Sequence, residues 1–216
     1  MRVCVIGGAG GVGRRLSTLL DEAGDEVTAL HRRPEQAADV EAAGATSVVF
    51  DLVAGTVEEL AAVVRGHDAV VFSAGAHGTG RDQTTLIDGR GLEKAAAAAR
   101  AAGVSRFVLV SVFPDAGRSL PTNEGFEHYM RVKKDADVHL TGTDLDWVVV
   151  RPGTLTDTAG TGTVRAGWAV PYGDVARADV AGFIAAALHE PRLSHVVVEL
   201  TDGPTPVDAA VAALVG

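Results

Sequence analysis

Residues 3–13 read VCVIGGAGGVG, an apolar run that breaks into five glycines separated only by alanine and valine. A strand of Val3, Cys4, Val5 and Ile6 that ends in such a turn and leads into a helix brings backbone amides against an anion. The spacing Gly7-x-x-Gly10-x-x-Gly13 suits a tight turn and lets a phosphate approach the backbone. It also aims the unsatisfied N–H groups and positive dipole end of the next helix at that phosphate. Gly7, Gly10, Gly11, Val12 and Gly13 are therefore candidate phosphate-cradling residues, given weight by their place directly after a predicted strand.

Beyond this turn, apolar runs alternate regularly with helical patterns. Strands are predicted over 2–7, 26–31, 47–50, 69–74, 106–111, 145–150 and 195–200. Helices are predicted over 11–23, 34–43, 56–65, 82–102, 123–140, 176–189 and 205–214. The runs VVF, AVVFSA, RFVLVS and WVVV are continuous rather than alternating, as expected of strands buried on both faces of a parallel sheet. Strands separated by helices give right-handed βαβ units. The expected fold class is α/β, a doubly wound Rossmann fold with a mainly parallel seven-stranded sheet and helices on both faces. A chain of 216 residues is expected to form one such domain, over 1–216, with no linker and no repeat. The segment 154–174 is rich in Thr and Gly, lacks apolar periodicity and reads as a flexible substrate lid.

Composition narrows the function classes. Acidic residues outnumber basic ones, 28 to 19, and the net charge of −9 argues against a nucleic-acid partner. No apolar run reaches the ~18–20 residues of a membrane span, and no targeting segment precedes the first strand, so a cytoplasmic protein away from membranes is expected. Cys4, the single cysteine, reads as a small core residue. The seven histidines show no metal-ligand spacing, and no G-x-S-x-G elbow points to a hydrolase.

In dinucleotide sites of this kind the end of the second strand reads the adenosine ribose. An acidic residue there bonds a 2′-hydroxyl, and arginine accommodates a 2′-phosphate. Here that strand ends in His31-Arg32-Arg33 with no carboxylate. Two guanidiniums offer charge-assisted contacts to a phosphate, so NADP(H) is expected in preference to NAD(H), which the same turn can also hold. The competing view is a solvated loop end. Asp51 and Leu52 close the third strand, where the carboxylate either meets the adenine amino group or caps the next segment. Ser73, Ala74 and Gly75 leave the fourth strand along the path toward the ribose and nicotinamide.

A second constellation lies on the helix before WVVV. Tyr129 and Lys133, four residues apart, project from one helix face. A phenol with a pKa near ~10 is a poor proton donor at neutral pH, and an ammonium beside it is expected to lower that value. With three lysines and two tyrosines in the chain, this spacing arises in only about 3% of shuffled sequences. Ser111 ends the fifth strand at the carboxyl edge of the sheet, where its hydroxyl either polarises a substrate carbonyl or caps a turn.

These motifs together resemble the short-chain dehydrogenase/reductase superfamily. The similarity is to its atypical branch of small NAD(P)H-binding proteins, related to the NAD-dependent epimerase/dehydratase and NmrA-like groups. The resemblance runs through the glycine turn, the segments 88–94 and 103–111, the Tyr129/Lys133 pair, residues 150–153 and Ala178-Asp-Val-Ala181. It implies Ser111 and Tyr129 around a substrate carbonyl with Tyr129 as proton donor, and Lys133 binding the nicotinamide ribose and lowering the phenol pKa. Pro152 and Gly153 would line the nicotinamide. Two positions depart from the pattern: Val112 replaces the usual second serine, and Asp88 falls near the helical position that often holds asparagine.

The expected activity is therefore NADPH-dependent hydride transfer to a small carbonyl, quinone or related acceptor, a small-molecule substrate. The alternatives are a non-catalytic NADP(H) sensor, as a likeness to NmrA-like proteins allows, and an epimerase or dehydratase. Only 66 residues follow Val150, which leaves little for a sugar-nucleotide lobe. A homodimer is an expectation of the wider family.

Overall fold

Alternating side chains on β1 (Arg2–Ile6) divide the molecule into two cores. Val3 and Val5 point to one face of the sheet, Cys4 and Ile6 to the other, and all four are buried. The computed structural model describes residues 1–76, 78–115 and 122–216. After β1 come α1 (Gly11–Glu22), β2 (Glu26–His31), a 3-10 turn over Pro34–Gln36, α2 (Ala37–Glu41), β3 (Thr46–Val49), α3 (Val57–Val64) and β4 (Ala69–Phe72). Next, α4 (Arg81–Thr84) runs through a π-helical stretch, Thr85–Arg90, into α5 (Gly91–Ala102). Then follow β5 (Arg106–Val110), α6 (Glu124–Thr141), β6 (Asp146–Pro152), β7 (Thr154–Thr156), β8 (Thr163–Gly167) and β9 (Asp174–Ala176). The chain closes with α7 (Arg177–Leu188), β10 (Val196–Asp202), β11 (Thr205–Pro206) and α8 (Val207–Leu214).

The main sheet has the order β11-β8-β10-β6-β5-β4-β1-β2-β3. The seven strands from β3 to β10 are parallel and correspond to the seven runs read in the sequence. The sheet is nine-stranded rather than seven-stranded, because β8 pairs antiparallel with β10 and β11 pairs antiparallel with β8. These two strands cover an edge that would otherwise expose unpaired backbone groups. The strand β8 lies within the stretch read as a lid, and β11 takes the first two residues of the helix read over 205–214, which starts at Val207 instead. The lid stretch instead supplies β7, β8 and the start of β9, with β7 and β9 forming a small parallel sheet. Pairing with β10 gives Thr163–Gly167 an extended form that its own composition does not announce.

Helices α1, α7 and α8 pack on one face through Leu16, Leu20, Phe183, Ile184 and Val211. Helices α3, α5 and α6 pack on the other through Leu60, Leu92 and Leu140. Ala95, Ala96, Ala98 and Ala99 are all fully buried, so α5 lies close against its neighbours with few aromatics needed. Burial pushes the Cys4 thiol up to about 12, the behaviour of an inert core residue. Thr56 begins α3 with a reciprocal capping box to Glu59. The helix read over 34–43 is shorter, because Pro34 opens a 3-10 turn first. Buried Arg106 ties β5 to the end of α7: its guanidinium donates to the carbonyls of Ala187 and Leu193 and pairs with Asp146 at 2.9 Å. Among the described residues no helix is long and apolar enough to cross a membrane.

Strand order reverses between β1 and β4, and a crevice opens at their carboxyl ends. The glycine turn after β1 and residues 73–75 after β4 face each other across it.

Candidate functional site

Gly7 carries the backbone through φ +90°, and a methyl group there would stand 2.5 Å from the Ala74 nitrogen. Only glycine lets the two strand exits approach this closely. Gly10 caps α1 with no side-chain bond, and the first turn of α1 holds no acidic residue. The helix therefore presents backbone N–H groups and a positive dipole end to the crevice. Gly13 has a different task from the one read in the sequence. It borders neither of the two cavities described below, and a methyl there would meet Gly7 O at 2.7 Å and Gly8 Cα at 2.8 Å, so it lets α1 pack onto its own turn.

Two cavities, of about 670 and 750 Å³, meet at Gly10, Ser73, Ala74 and Gly75. The smaller is bordered by Gly7, His31, Arg32, Arg33, Asp51 and Leu52. The larger is bordered by Gly11, Val12, Ser111, Tyr129, Lys133, Pro152 and Gly153. All the sequence-read positions except Gly13 thus border one cleft folded over the glycine turn. The smaller cavity lies beside the end of β2 and the larger beside α6.

In the smaller cavity the geometry sorts ligand candidates from scaffold. The buried His31 ring donates from Nδ1 to the Arg33 carbonyl at 2.9 Å and meets Ser47 Oγ at 2.7 Å. It orders the arginine loop rather than offering itself to a ligand. Asp51 Oδ1 accepts from the backbone nitrogens of Val53 and Ala54, at 2.8 and 3.1 Å, which is the capping alternative. Lys94 Nζ donates to the Leu52 carbonyl at 2.8 Å and also to those of Val53 and Gly55, pinning this loop to α5. Arg33 faces Glu35 at 3.4 Å. Arg32 is exposed and has no ion-pair partner among the described residues.

In the larger cavity Tyr129, Lys133 and Asp137 succeed one another on one face of α6. Lys133 is buried, donates to the Val110 carbonyl at 3.0 Å and lies 3.8 Å from Asp88. Asp88 sits on the π-helical stretch and accepts from the Ala76 nitrogen at 2.9 Å, so the loop after β4, the bulged helix and α6 meet at one carboxylate. The Ser111 hydroxyl donates to Asp137 Oδ1 at 2.5 Å, and Arg151 holds Oδ2 from two nitrogens at 2.9 Å. Burial raises the Asp137 carboxyl above the ordinary carboxylate range, against the pull of Ser111, Arg151 and Lys133. Sequence reasoning missed Asp137 and Arg151, although Asp137 stands four residues after Lys133.

The Tyr129 phenol does not behave as a tyrosine beside an ammonium was expected to. Burial first, and the Asp88 carboxylate second, push its pKa well above the usual tyrosine value. Phe113, Phe126, Met130, Leu155 and Tyr172 form the apolar walls of this cavity, with Phe113 and Tyr172 edge to face at 5.4 Å. Arg177 and Gly80 also border this cavity, and sequence reasoning singled out neither. No cluster of metal-ligating side chains occurs among the described residues.

The glycine turn, the cleft and α6 fall within residues 7–191, the span matched by the NAD(P)H-binding family. The chain belongs to the NAD(P)H-binding family. A Bacillus subtilis relative named as the uncharacterized sugar epimerase YhfK is 40% identical over 212 residues, which are 97% of this chain and 98% of that one. A solved Bacillus halodurans structure, assigned by name to the NAD-dependent epimerases/dehydratases, superposes with a TM-score of 0.89. It is 33% identical and covers 99% of each chain. The oxidoreductase ylbE from Lactococcus lactis has a TM-score of 0.86 at 27% identity, covering 99% of this chain and 96% of its own. This NAD(P)H-binding protein is thus an oxidoreductase- and epimerase/dehydratase-like member of a Rossmann-like group.

Proposed function

We propose that this protein is an NADPH-dependent reductase of a small carbonyl, quinone or related conjugated acceptor. The observation that carries the proposal is the convergence of Tyr129, Lys133 and Ser111 on the cavity that continues from the glycine turn past Pro152 and Gly153. The turn and α1 would hold the diphosphate, Arg32 a 2′-phosphate, and Pro152, Gly153 and Lys133 the nicotinamide riboside. When bound, a reduced nicotinamide supplies a hydride to the acceptor.

The chain's own residues supply the rest. Tyr129 borders the cavity and keeps its proton through neutral pH, so its hydroxyl is placed to donate to an oxygen that gains electron density, although burial and Asp88 make it a weaker acid than a free phenol. The apolar walls exclude water, and among the described lining residues the polar side chains are largely engaged. Ser111 bonds Asp137, Thr84 bonds the Gly80 carbonyl, Asn123 accepts from the Phe126 nitrogen, and Lys133 bonds the Val110 carbonyl. A nucleotide sugar requires many hydrogen-bond partners, whereas these walls offer rings and methyls. This favours a flat acceptor over the epimerase reading.

The second reading is a non-catalytic NADP(H) sensor. It is favoured by the Ser111 hydroxyl being directed to Asp137 and by Val112 replacing a second serine. Tyr129→Phe separates the two. A reductase should lose about 10²–10⁴-fold in turnover on a quinone and carbonyl panel, with NADPH affinity within about twofold of the parent. Equal turnover in the two proteins would remove Tyr129 from the mechanism. Binding without turnover on any acceptor would favour the sensor.

A further inference from the structure

Arg177, which borders the larger cavity, pairs with Arg15 of α1 at one carboxylate, an arrangement the glycine pattern does not announce. Arg177, the first residue of α7, lays its side chain across the amino end of α1. A methyl group on Gly11 would stand 2.7 Å from Arg177 Cδ and 3.1 Å from its Nε. Arg15, one turn into α1, donates to the Gly11 carbonyl at 2.8 Å, so its guanidinium is folded back toward the same turn. The two arginines converge on one carboxylate: Asp157 lies 3.0 Å from Arg177 and 3.4 Å from Arg15.

Asp157 is 72% exposed, whereas the Arg177 side chain is only 26% exposed. An exposed carboxylate holding arginines is a weak tether, easily exchanged for a better anion. One carboxylate between two guanidiniums also leaves an excess positive charge, next to a helix end that is itself positive. A bridging diphosphate carries two charges, and its oxygens accept from the planar donor fork of each guanidinium, which satisfies that arrangement better than Asp157 does.

We infer that Arg177 and Arg15 clamp the diphosphate of the dinucleotide, and that Asp157 is an internal stand-in which yields its place when the diphosphate arrives. The inference rests on the cofactor placement under Proposed function. It adds to the backbone cradle two side chains from outside the glycine turn, one of them 166 positions further along the chain than Gly11. Asp157 thereby competes with the cofactor. Because it follows β7, whose Leu155 borders the acceptor cavity, its release loosens the wall on the acceptor side.

The test compares binding of NADPH and of adenosine 2′-monophosphate, which shares the adenosine 2′-phosphate end but lacks a diphosphate, by calorimetry and displacement. Arg177→Ala should weaken NADPH about tenfold or more while leaving adenosine 2′-monophosphate within about twofold. Arg177→Lys should recover part of the loss. Asp157→Asn, an exposed and conservative change, should shift NADPH the other way and tighten it several-fold. Unchanged NADPH affinity in Arg177→Ala, equal loss of both ligands, or weaker NADPH binding in Asp157→Asn would each overturn the clamp. Failure of the parent protein to bind NADPH would instead overturn the cofactor placement itself, and the clamp with it.

Discussion

Arg32→Glu isolates the residue on which the choice between NADPH and NADH should turn. Arg32 and Arg33 both border the adenosine-side cavity, but they are not equivalent. Arg33 already faces Glu35 at 3.4 Å, and its backbone nitrogen donates to Gln36 at 3.1 Å. The His31 ring holds the Arg33 carbonyl, so the loop is fixed while the neighbouring Arg32 guanidinium stays without an ion-pair partner among the described residues. A hydrogen bond to a charged group contributes about 1.5–3 kcal/mol. At an exposed site the lower end applies, so losing the arginine costs about tenfold in affinity at roughly 1.4 kcal/mol per decade. Placing a carboxylate there adds repulsion of about 1 kcal/mol per unit charge at ~4 Å in water, and a 2′-phosphate carries nearly two charges.

The two effects together predict that Arg32→Glu weakens NADPH about 10²-fold. NADH, with no 2′-phosphate, should stay within about threefold. Arg33→Glu should cost NADPH much less. Titration by nicotinamide fluorescence at low and high salt reads all of these values, and the gap between variant and parent should narrow as the ionic strength rises. An unaltered NADPH-to-NADH ratio in Arg32→Glu would show that the loop end is a solvated surface and that cofactor choice is made elsewhere.

Two further outcomes follow from the same geometry. Asp88→Asn removes the negative charge that helps to hold the Tyr129 proton, so the phenol pKa should move down while burial still keeps it high. Reduction draws on the protonated phenol, so the alkaline limb of its pH profile should begin at lower pH in the variant, with ultraviolet difference spectra reading the ionisation directly; a limb that stays put removes Asp88 from the control of Tyr129. Arg106→Met leaves Asp146 and the carbonyls of Ala187 and Leu193 without their buried partner. It should cost about 3–5 kcal/mol of stability and lower Tm by roughly 6–20 °C for a domain of this size, while NADPH affinity in the folded protein stays unchanged; a shift below 2 °C would mean that these bonds contribute little.

What was legible in the sequence is what neighbouring residues decide among themselves. The strand exits at Gly7 and residues 73–75, the seven parallel strands and the α1 start all follow from local glycine placement and continuous apolar runs. Contacts set by residues far along the chain were not legible. Nothing near Val164 says that it will pair with Asp202 of β10, and nothing near Ser111 says that its hydroxyl meets Asp137, 26 positions away. His31 was read as a ligand from its place at a strand tip, yet Ser47 on β3 and the Arg33 carbonyl hold its ring. Gly13 completed a phosphate-binding spacing, while the space it leaves is filled by the backbone of its own turn.

The Tyr129 and Lys133 pair shows why periodicity stops short of chemistry. A spacing of four guarantees a shared helix face, and from that a lowered phenol pKa was expected. The face is shared with other elements as well. The π-helical stretch brings Asp88 close to both groups, and the packing around half-buried Tyr129 withdraws part of the water that would stabilise a phenolate. With desolvation and a carboxylate both acting against ionisation, the direction reverses, and Tyr129 keeps its proton but yields it less readily than a free phenol. Proton transfer from such a phenol therefore requires an acceptor oxygen that becomes strongly basic, a demand that the four-residue spacing alone does not reveal.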